Sequence, residues 1–405
     1  MRILYISNEY PPETGFGGIG TYTRCMAQAM AGRGHDVHVI CRAADGTACR
    51  RHDGGVTLHR TPPGTFRLPP GRPWFAVRLL MRHLIPATLV KRAWSDEAAA
   101  AACRLVREDG PFDIVEYPEC NGEGFSLPRS AARTVVRLHT PWSMIRSLDT
   151  IREGRVDRFF ADRMEYRSVR RADAVTAPSH DLASRMKRQW GLRDVTVFPN
   201  PIPAGEYPQS AGGGWIYTGR VERRKGVHVL LHAYGRLSRT MELPGLTLVG
   251  RPYGVSADGT TYESHITGLI REYGLDGRVQ WVKGVPHDQV ASHLAAASVA
   301  IFPSLWENFP YACLEAMASG LAVVTSRCGG FPDMIDEGVT GFMFEPGDVD
   351  GLSAVLRRLA GGPDTVRETG LHAREEVLRR FSSRTVGQTA ESFYRSLVGG
   401  SNGTE

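Results

Sequence analysis

Short β-branched and aromatic runs alternate with helix-length segments along this chain, and they do so in two successive series. The first series comprises "ILYIS", "DVHVIC", "FDIVEY", "TVVRLH" and "AVTAPS"; the second comprises "WIYTGR", "LTLVG", "VQWVKG", "VAIFPS", "LAVVTS" and "GFMFEP". Runs of this kind, separated by helices, predict βαβ units and therefore parallel, doubly wound sheets. At 405 residues the chain is longer than one core usually spans, which agrees with two domains. The expected architecture is α/β: two Rossmann-like domains facing each other across a deep cleft, the first over 1–206 and the second over 207–382. Gly212-Gly213-Gly214 reads as a flexible hinge between them. A last helix, about Thr385 to Leu397, is expected to bring the segment 383–405 back onto the first domain. In such sheets ligands sit outside the carboxyl ends of the strands.

Composition narrows the class. No run of 18 or more apolar residues is present to span a bilayer as a helix. The chain opens on a strand-like run, without an apolar signal region and cleavage site. Seven cysteines without a C-x-x-C pair fit reduced thiols better than disulfides or zinc. These features read as a cytoplasmic protein. The net charge of +6 is uneven: no Asp or Glu occurs between Gly54 and Ser95, where Arg60, Arg67, Arg72, Arg78, Arg82, Lys91 and Arg92 stand. That basic stretch is compatible with peripheral contact at the inner membrane surface through 60–92, with a solvated helix face, or with a wall around an anionic ligand. No nucleic-acid recognition motif accompanies the charge, so no nucleic-acid partner is expected.

Gly15, Gly17 and Gly20 spell G-x-G-x-x-G, the expression for a dinucleotide-binding turn. A true fingerprint places its first glycine directly after the first strand, and an acid follows the second strand. Here Pro11 and Pro12 lie between Ser7 and Gly15, and Arg42 follows "DVHVIC". Both tests for NAD fail, although an arginine there is compatible with a 2′-phosphate. Gly17 and Gly18 still allow close backbone approach, and a helix expected to begin near Gly20 or Thr21 directs N–H groups at an anion. The alternative is a surface loop without a ligand.

The second series carries more chemistry. "YTGRVERRKGVHVLLHAY" sets Arg220 just after a strand and Lys225 before a helix, where two cations can neutralise a diphosphate. "FPSLWENFPYACLEAMASG" holds Glu307 and Glu315, with Pro310 suited to a helix's first turn and Gly320 to its far end. Glu307 is thus expected above the helix and Glu315 on its second turn. Together the two carboxylates can accept hydrogen bonds from sugar hydroxyls, while the backbone over Asn308, Phe309, Pro310 and Tyr311 faces phosphate oxygens.

Taken together, the E-x7-E segment, the following "SRCGGFPDMIDEGVTGFMFEPGD", the "GR…K" element and the early "GG" loop resemble the retaining glycosyltransferases of family 4. The resemblance covers nearly the whole chain and implies the GT-B fold. It implies a nucleotide-sugar donor, UDP- or GDP-linked, and a small-molecule or lipid-linked acceptor, with no cofactor. Gly17 and Gly18 match the loop beside the donor diphosphate, and Arg220 and Lys225 the cations that hold it as it leaves. Glu307 matches the acid at the transferred sugar, Glu315 the acid at the ribose, and His139 a histidine near the reacting carbon. Glu119 and Trp142 are acceptor-side candidates. Cations in place of a divalent metal imply metal independence, and no counterpart of the Asp-x-Asp metal triplet is expected. Thr140 and Asp333 depart from the family, where Asp and Glu are usual, and touch the region that selects the sugar. The alternatives are a GT-B-shaped sugar-nucleotide epimerase, a phosphorylase-like enzyme, for which no convincing pyridoxal phosphate lysine is found, and a non-catalytic sugar-nucleotide-binding protein.

Overall fold

The computed structural model describes residues 1–15, 17–66, 80–148, 154–256 and 259–399. Arg67, Arg72 and Arg78 of the basic stretch lie outside them. The chain forms two compact units, one from Met1 to Pro201 together with the segment from Ser383, the other from Ile202 to Ser382.

The first unit is built on an eight-stranded sheet, ordered β3-β4-β2-β1-β5-β6-β7-β8. Its strands are β1 (Arg2–Ser7), β2 (Asp36–Arg42), β3 (Cys49–Asp53), β4 (Val56–Thr61), β5 (Ile114–Pro118), β6 (Arg133–Arg137), β7 (Ala174–Ala177) and β8 (Thr196–Val197). All pair in parallel except β3 with β4. The helices are α1 (Gly18–Ala31), α2 (Pro86–Asp109), α3 (Trp142–Leu148), α4 (Arg155–Arg170) and α5 (His180–Trp190). Ile3, Leu4, Tyr5 and Ile6 are all buried, as a strand covered on both faces demands. Helix α1 starts at Gly18, earlier than a reading that treats glycine as a breaker suggests, because Gly17 in extended conformation precedes it and Thr21 N–H already bonds to Gly17 O. Helix α2 begins at Pro86, whose ring suits a first turn, so the end of the basic stretch and the Ala-rich segment are one helix.

The second unit is a six-stranded, wholly parallel sheet ordered β11-β10-β9-β12-β13-β14. Its strands are β9 (Gly214–Thr218), β10 (Leu246–Val249), β11 (Val279–Val282), β12 (Ala297–Phe302), β13 (Ala322–Ser326) and β14 (Gly341–Phe344). Its helices are α6 (Val227–Leu237), α7 (Tyr262–Glu272), α8 (His287–Ala295), α9 (Tyr311–Ala318), α10 (Phe331–Met334), α11 (Val349–Ala360) and α12 (Pro363–Glu376). Trp215, Tyr217, Val299, Ile301, Val324 and Leu356 meet in its core. The glycines at 212–214 are not a hinge between units. They lie within this one, Gly214 opens β9, and a Cβ on Gly212 would fall 1.9 Å from Ala296 O.

Helix α13 (Ser383–Gly399) belongs to the first unit, where it crosses α1. Gly387 makes the crossing tight, since a Cβ there would meet Ala29 Cβ at 3.2 Å. Below the crossing, the hydroxyls of Tyr394 and Tyr22 donate to the two oxygens of buried Glu116, at 2.6 and 2.8 Å. Burial lifts the Glu116 carboxyl above its ordinary range.

Candidate active site

In each sheet the strand order reverses at one point, between β1 and β5 in the first unit and between β9 and β12 in the second. Loops leaving the carboxyl ends of those strands diverge there and leave a crevice for a ligand. Gly17 and Gly18 follow β1, Glu119 follows β5, Arg220 and Lys225 follow β9, and the stretch from Glu307 to Glu315 follows β12, whereas His139 and Trp142 follow the neighbouring strand β6.

In the second unit, the chain leaves β9 through Gly219 and Arg220 into a tight 3-10 turn, Arg223–Lys225. Leu305 N–H, from the loop after β12, donates to Arg224 O at 2.7 Å and ties the two loops together. This brings the cations to Glu307. Lys225 Nζ lies 2.6 Å from Glu307 Oε1, and Arg224 donates to the same oxygen at 2.6 Å. Arg224 also donates to Trp306 O at 3.0 Å and to Glu222 Oε1 at 2.7 Å. Burial by itself would raise the Glu307 carboxyl; Lys225 and Arg224 overcome it and hold the group down to about 2. It is ionised at any working pH.

Arg220 is placed differently. Its side chain is 59% exposed, with one guanidinium nitrogen 3.5 Å from Glu222 Oε2 and the group over the Tyr253 ring. The two cations paired by the sequence reading therefore have different environments: Lys225 is engaged by Glu307, whereas Arg220 faces solvent. Arg224 and Glu222 were not singled out from sequence. "ERRK" shows a charge run, and only the 3-10 turn reveals which of its members turns inward.

Glu307 is held by the backbone as well. Gly330 N–H donates to Glu307 O at 3.0 Å, and Gly329, at φ +55°, passes so close that a Cβ would stand 1.6 Å from that oxygen. Asn308 and Phe309 are buried, with Phe309 packed edge-on to Phe381 at 5.6 Å. Pro310 is the residue before the first turn of α9, not within it, and Tyr311 starts the helix. Glu315 is buried on the second turn. Gly320, at φ +77°, follows the helix end.

In the first unit, the glycine loop is shaped by Glu9. A Cβ on Gly15 would meet Glu9 Cγ at 2.6 Å, and one on Gly17 would meet Glu9 Oε2 at 2.9 Å. Gly18 alone of the pair Gly17-Gly18 has open space where a Cβ would stand. The G-x-G-x-x-G pattern thus has a local cause, the passage of Glu9 beneath it, and Gly18 is the unobstructed position.

Buried carboxyls organise the other loops of this unit. Glu119, after β5, accepts the His139 backbone N–H at 2.8 Å, which fixes the loop after β6. Glu123 accepts from Asn8 N–H at 2.8 Å and from the Trp94 indole at 3.0 Å, joining the loop after β1 to α2. Glu165 accepts from Asn121 N–H and Trp142 N–H, at 2.9 and 3.1 Å. Desolvation pushes Glu119 and Glu123 up to about 8 and Glu165 to about 7. His139 is buried against the edge of Tyr22, with ring centroids 5.1 Å apart. Burial, aided by Arg137, pushes its imidazole down to about 3, so the ring is neutral. Trp142 is half-buried, its ring beneath the Lys91 ammonium at 5.0 Å. Lys91 and the buried Arg60, which pairs with Glu13 at 2.9 Å, remove two charges from any solvated basic face. Glu123 and Glu165 were missed because an acid in a sequence does not disclose its burial.

Contrary to expectation, one Asp-x-Asp triplet exists, Asp348-Val349-Asp350. It starts α11: Asp348 accepts from the Asp350 and Gly351 N–H groups, and Asp350 pairs with Arg236 at 2.9 Å. Among the described residues, no group of three or more His, Cys, Asp or Glu is placed to hold a metal ion. Among the described residues, no helix is long and apolar enough to cross a membrane.

Comparison with known proteins finds relatives along nearly the whole chain. Residues 215–376 match the family described as Glycosyl transferases group 1, and residues 17–201 match a Glycosyl transferase 4-like domain. A glycogen synthase of Mycobacterium tuberculosis is 27% identical over 420 residues, covering 97% of this chain and 94% of the relative. An MMP alpha-(1->4)-mannosyltransferase of Mycolicibacterium hassiacum is 28% identical over 429 residues, covering 98% of each. Among solved structures, the sucrose-phosphate synthase of Thermosynechococcus elongatus superposes with a TM-score of 0.78 at 22% identity, covering 98% of this chain and 99% of that one.

Proposed function

Since this chain belongs to the family 4 glycosyltransferases and has their GT-B fold, we propose that it moves a sugar from a nucleoside-diphosphate donor, UDP- or GDP-linked, to an acceptor hydroxyl, with retention of anomeric configuration and without a metal. One observation carries this reading: Arg224 and Lys225 converge on Glu307 at the switch point of the second sheet, with exposed Arg220 beside them. A diphosphate arriving there meets Arg220 first, and its charge then adds to that of Glu307 on Lys225 and Arg224. Cations already held in place stabilise the charge that develops on the departing diphosphate at little cost in reorganisation. Glu307 accepts hydroxyls of the transferred sugar and Glu315 those of the ribose. The family resemblance gives Gly18 a role beside the donor phosphates and His139 one near the reacting carbon; within the first unit Gly18 leaves open space beside its backbone and the His139 ring is neutral. The bond from the anomeric carbon to the phosphate oxygen breaks as the acceptor oxygen bonds to the same face, and the leaving phosphate takes the acceptor's proton.

Thermal unfolding with UDP, GDP, ADP, dTDP, NAD and NADP tests the donor class. A ligand at about 100 times its dissociation constant adds roughly 2.7 kcal/mol. Stabilisation by one nucleoside diphosphate alone supports the reading; stabilisation only by NAD or NADP overturns it. Transfer with the matching sugar nucleotide, followed by NMR of the product anomer with and without EDTA, then tests retention and metal independence. Donor consumed without an acceptor, giving an epimer, would favour the epimerase alternative.

A lipid-linked acceptor is favoured by exposed Leu84 and Val90, by the exposed aromatic pair Phe159 and Phe160 on α4, and by Arg82 nearby in sequence. Co-sedimentation with vesicles rich in anionic lipid, lost when Phe159 and Phe160 are both changed to Ser, is the expected result. Equal behaviour of anionic and neutral vesicles counts against membrane contact.

A further inference from the structure

The first unit contains a pocket of about 380 Å³ that none of the candidate site residues lines. It lies between the last turns of α2 and the amino-terminal halves of the central strands. Leu4 of β1, Val115 of β5 and Thr134 of β6 contribute to it. Glu119 and His139 follow the opposite, carboxyl ends of β5 and β6, so this is a separate place in the fold.

Its walls are almost wholly hydrocarbon, with Val106, Phe112, Val115 and Leu127 among them, and Val106 is 40% exposed at the opening. Protein interiors ordinarily close over such surface, and a pocket of this size with few polar groups is typical of small-molecule sites. The polar group that matters is Arg107. It lines the pocket from the last turn of α2, and among the described residues no carboxylate pairs with its guanidinium. Arg129, one residue before the lining residue Ser130, adds a second exposed cation. Asp109, in the same turn of α2, faces Arg2 at 3.7 Å and is not part of the wall. A hydrocarbon slot with an unpaired guanidinium at its edge is complementary to a ligand with an apolar body and a carboxylate end, because a fork of N–H donors matches that group.

We propose that this pocket binds an amphipathic carboxylate, its chain against Val106, Phe112, Val115 and Leu127 and its head group on Arg107. The inference does not depend on the donor or acceptor proposed above.

Cys103 also lines the pocket and serves as reporter; it and Cys49 are the two partly exposed cysteines, the other five being buried. Decanoate, the probe, is added to the full-length protein, and alkylation of each cysteine by N-ethylmaleimide is followed by peptide mass spectrometry. At about ten times its dissociation constant, decanoate should slow Cys103 about tenfold and leave Cys49 unchanged. Decanol should protect far less, and Arg107→Gln should remove the difference between the two. Ala131→Trp, at an exposed lining position, should abolish protection without lowering the unfolding temperature. Calorimetric titration of decanoate into wild type and both variants gives the same answer independently of thiol reactivity. Absence of both protection and binding heat, equal protection by decanol, or full protection in Ala131→Trp would each overturn the proposal.

Discussion

Glu307 is pulled two ways: burial works against its charge, and two cations 2.6 Å away demand it. Removing the carboxylate takes from Lys225 its ion-pair partner and leaves Arg224 with Glu222 alone, so Glu307→Gln should cost about 3 kcal/mol in the ligand-free protein. The same change frees Lys225 and the Arg224 nitrogen that faced Glu307, so it should tighten binding of the nucleoside diphosphate alone while lowering sugar transfer by about a hundredfold. Calorimetry and turnover on one preparation check both halves; weaker diphosphate binding would sink the argument. The sign with pH follows. The folded value, about 2, lies below the ordinary 4.5, so this contribution is complete above pH 4.5 and fades as pH falls towards 2. His139 gives a second expectation at this scale. Held at about 3, it stays neutral from pH 5 to 8, so the pH profile of turnover should show no limb from it there. NMR titration of the imidazole checks this directly; protonation near pH 6.5 would contradict it.

At the scale of elements, hydrogen bonds donated to buried carboxyls hold the loops of the first unit. Glu119 and Glu123 have folded values raised to about 8 from 4.5, so their stabilising contribution is complete below pH 4.5 and lost as pH rises through 8. Melting of the first unit should therefore shift downwards from pH 5 to 9, and a Glu119→Gln, Glu123→Gln double variant should flatten that slope. In the second unit, Gly329→Ala forces a Cβ into Glu307 O, so it should cost more than about 2 kcal/mol and lower turnover without touching a charge. The sequence disclosed the strands on which these loops hang, because each reads as a compact β-branched run. It hid the β3–β4 pair, since "CRRHD" is an exposed edge strand whose charges imitate a loop. Charged residues of the candidate site stood out in the sequence where glycine or proline framed them, as with Arg220, Lys225, Glu307 and Glu315. They were illegible where only tertiary packing decides, as with Arg224, Glu123 and Glu165. The Asp-x-Asp triplet is the converse case: a pattern with the right letters, taken up by a helix cap.

On the scale of the whole molecule, the first unit is assembled from both ends of the chain and the second from its middle. Residues 202–382 expressed alone should therefore unfold cooperatively, whereas 1–201 alone should leave Glu116 without its Tyr394 partner and regain its melting transition only when the 383–399 segment is supplied. Circular dichroism melts of the fragments, separately and mixed, check this. This connectivity also imposes an order in time. A ribosome releases the first sheet long before it releases the helix that covers it; at roughly 5–20 residues per second the wait is on the order of 10–35 s. The unit begun second can be finished first, and strands made early wait for a helix made late. Messages cut short before the codon for Tyr394 would thus yield chains with an uncovered acid in an apolar sheet, a mark by which quality control can tell incomplete copies from complete ones.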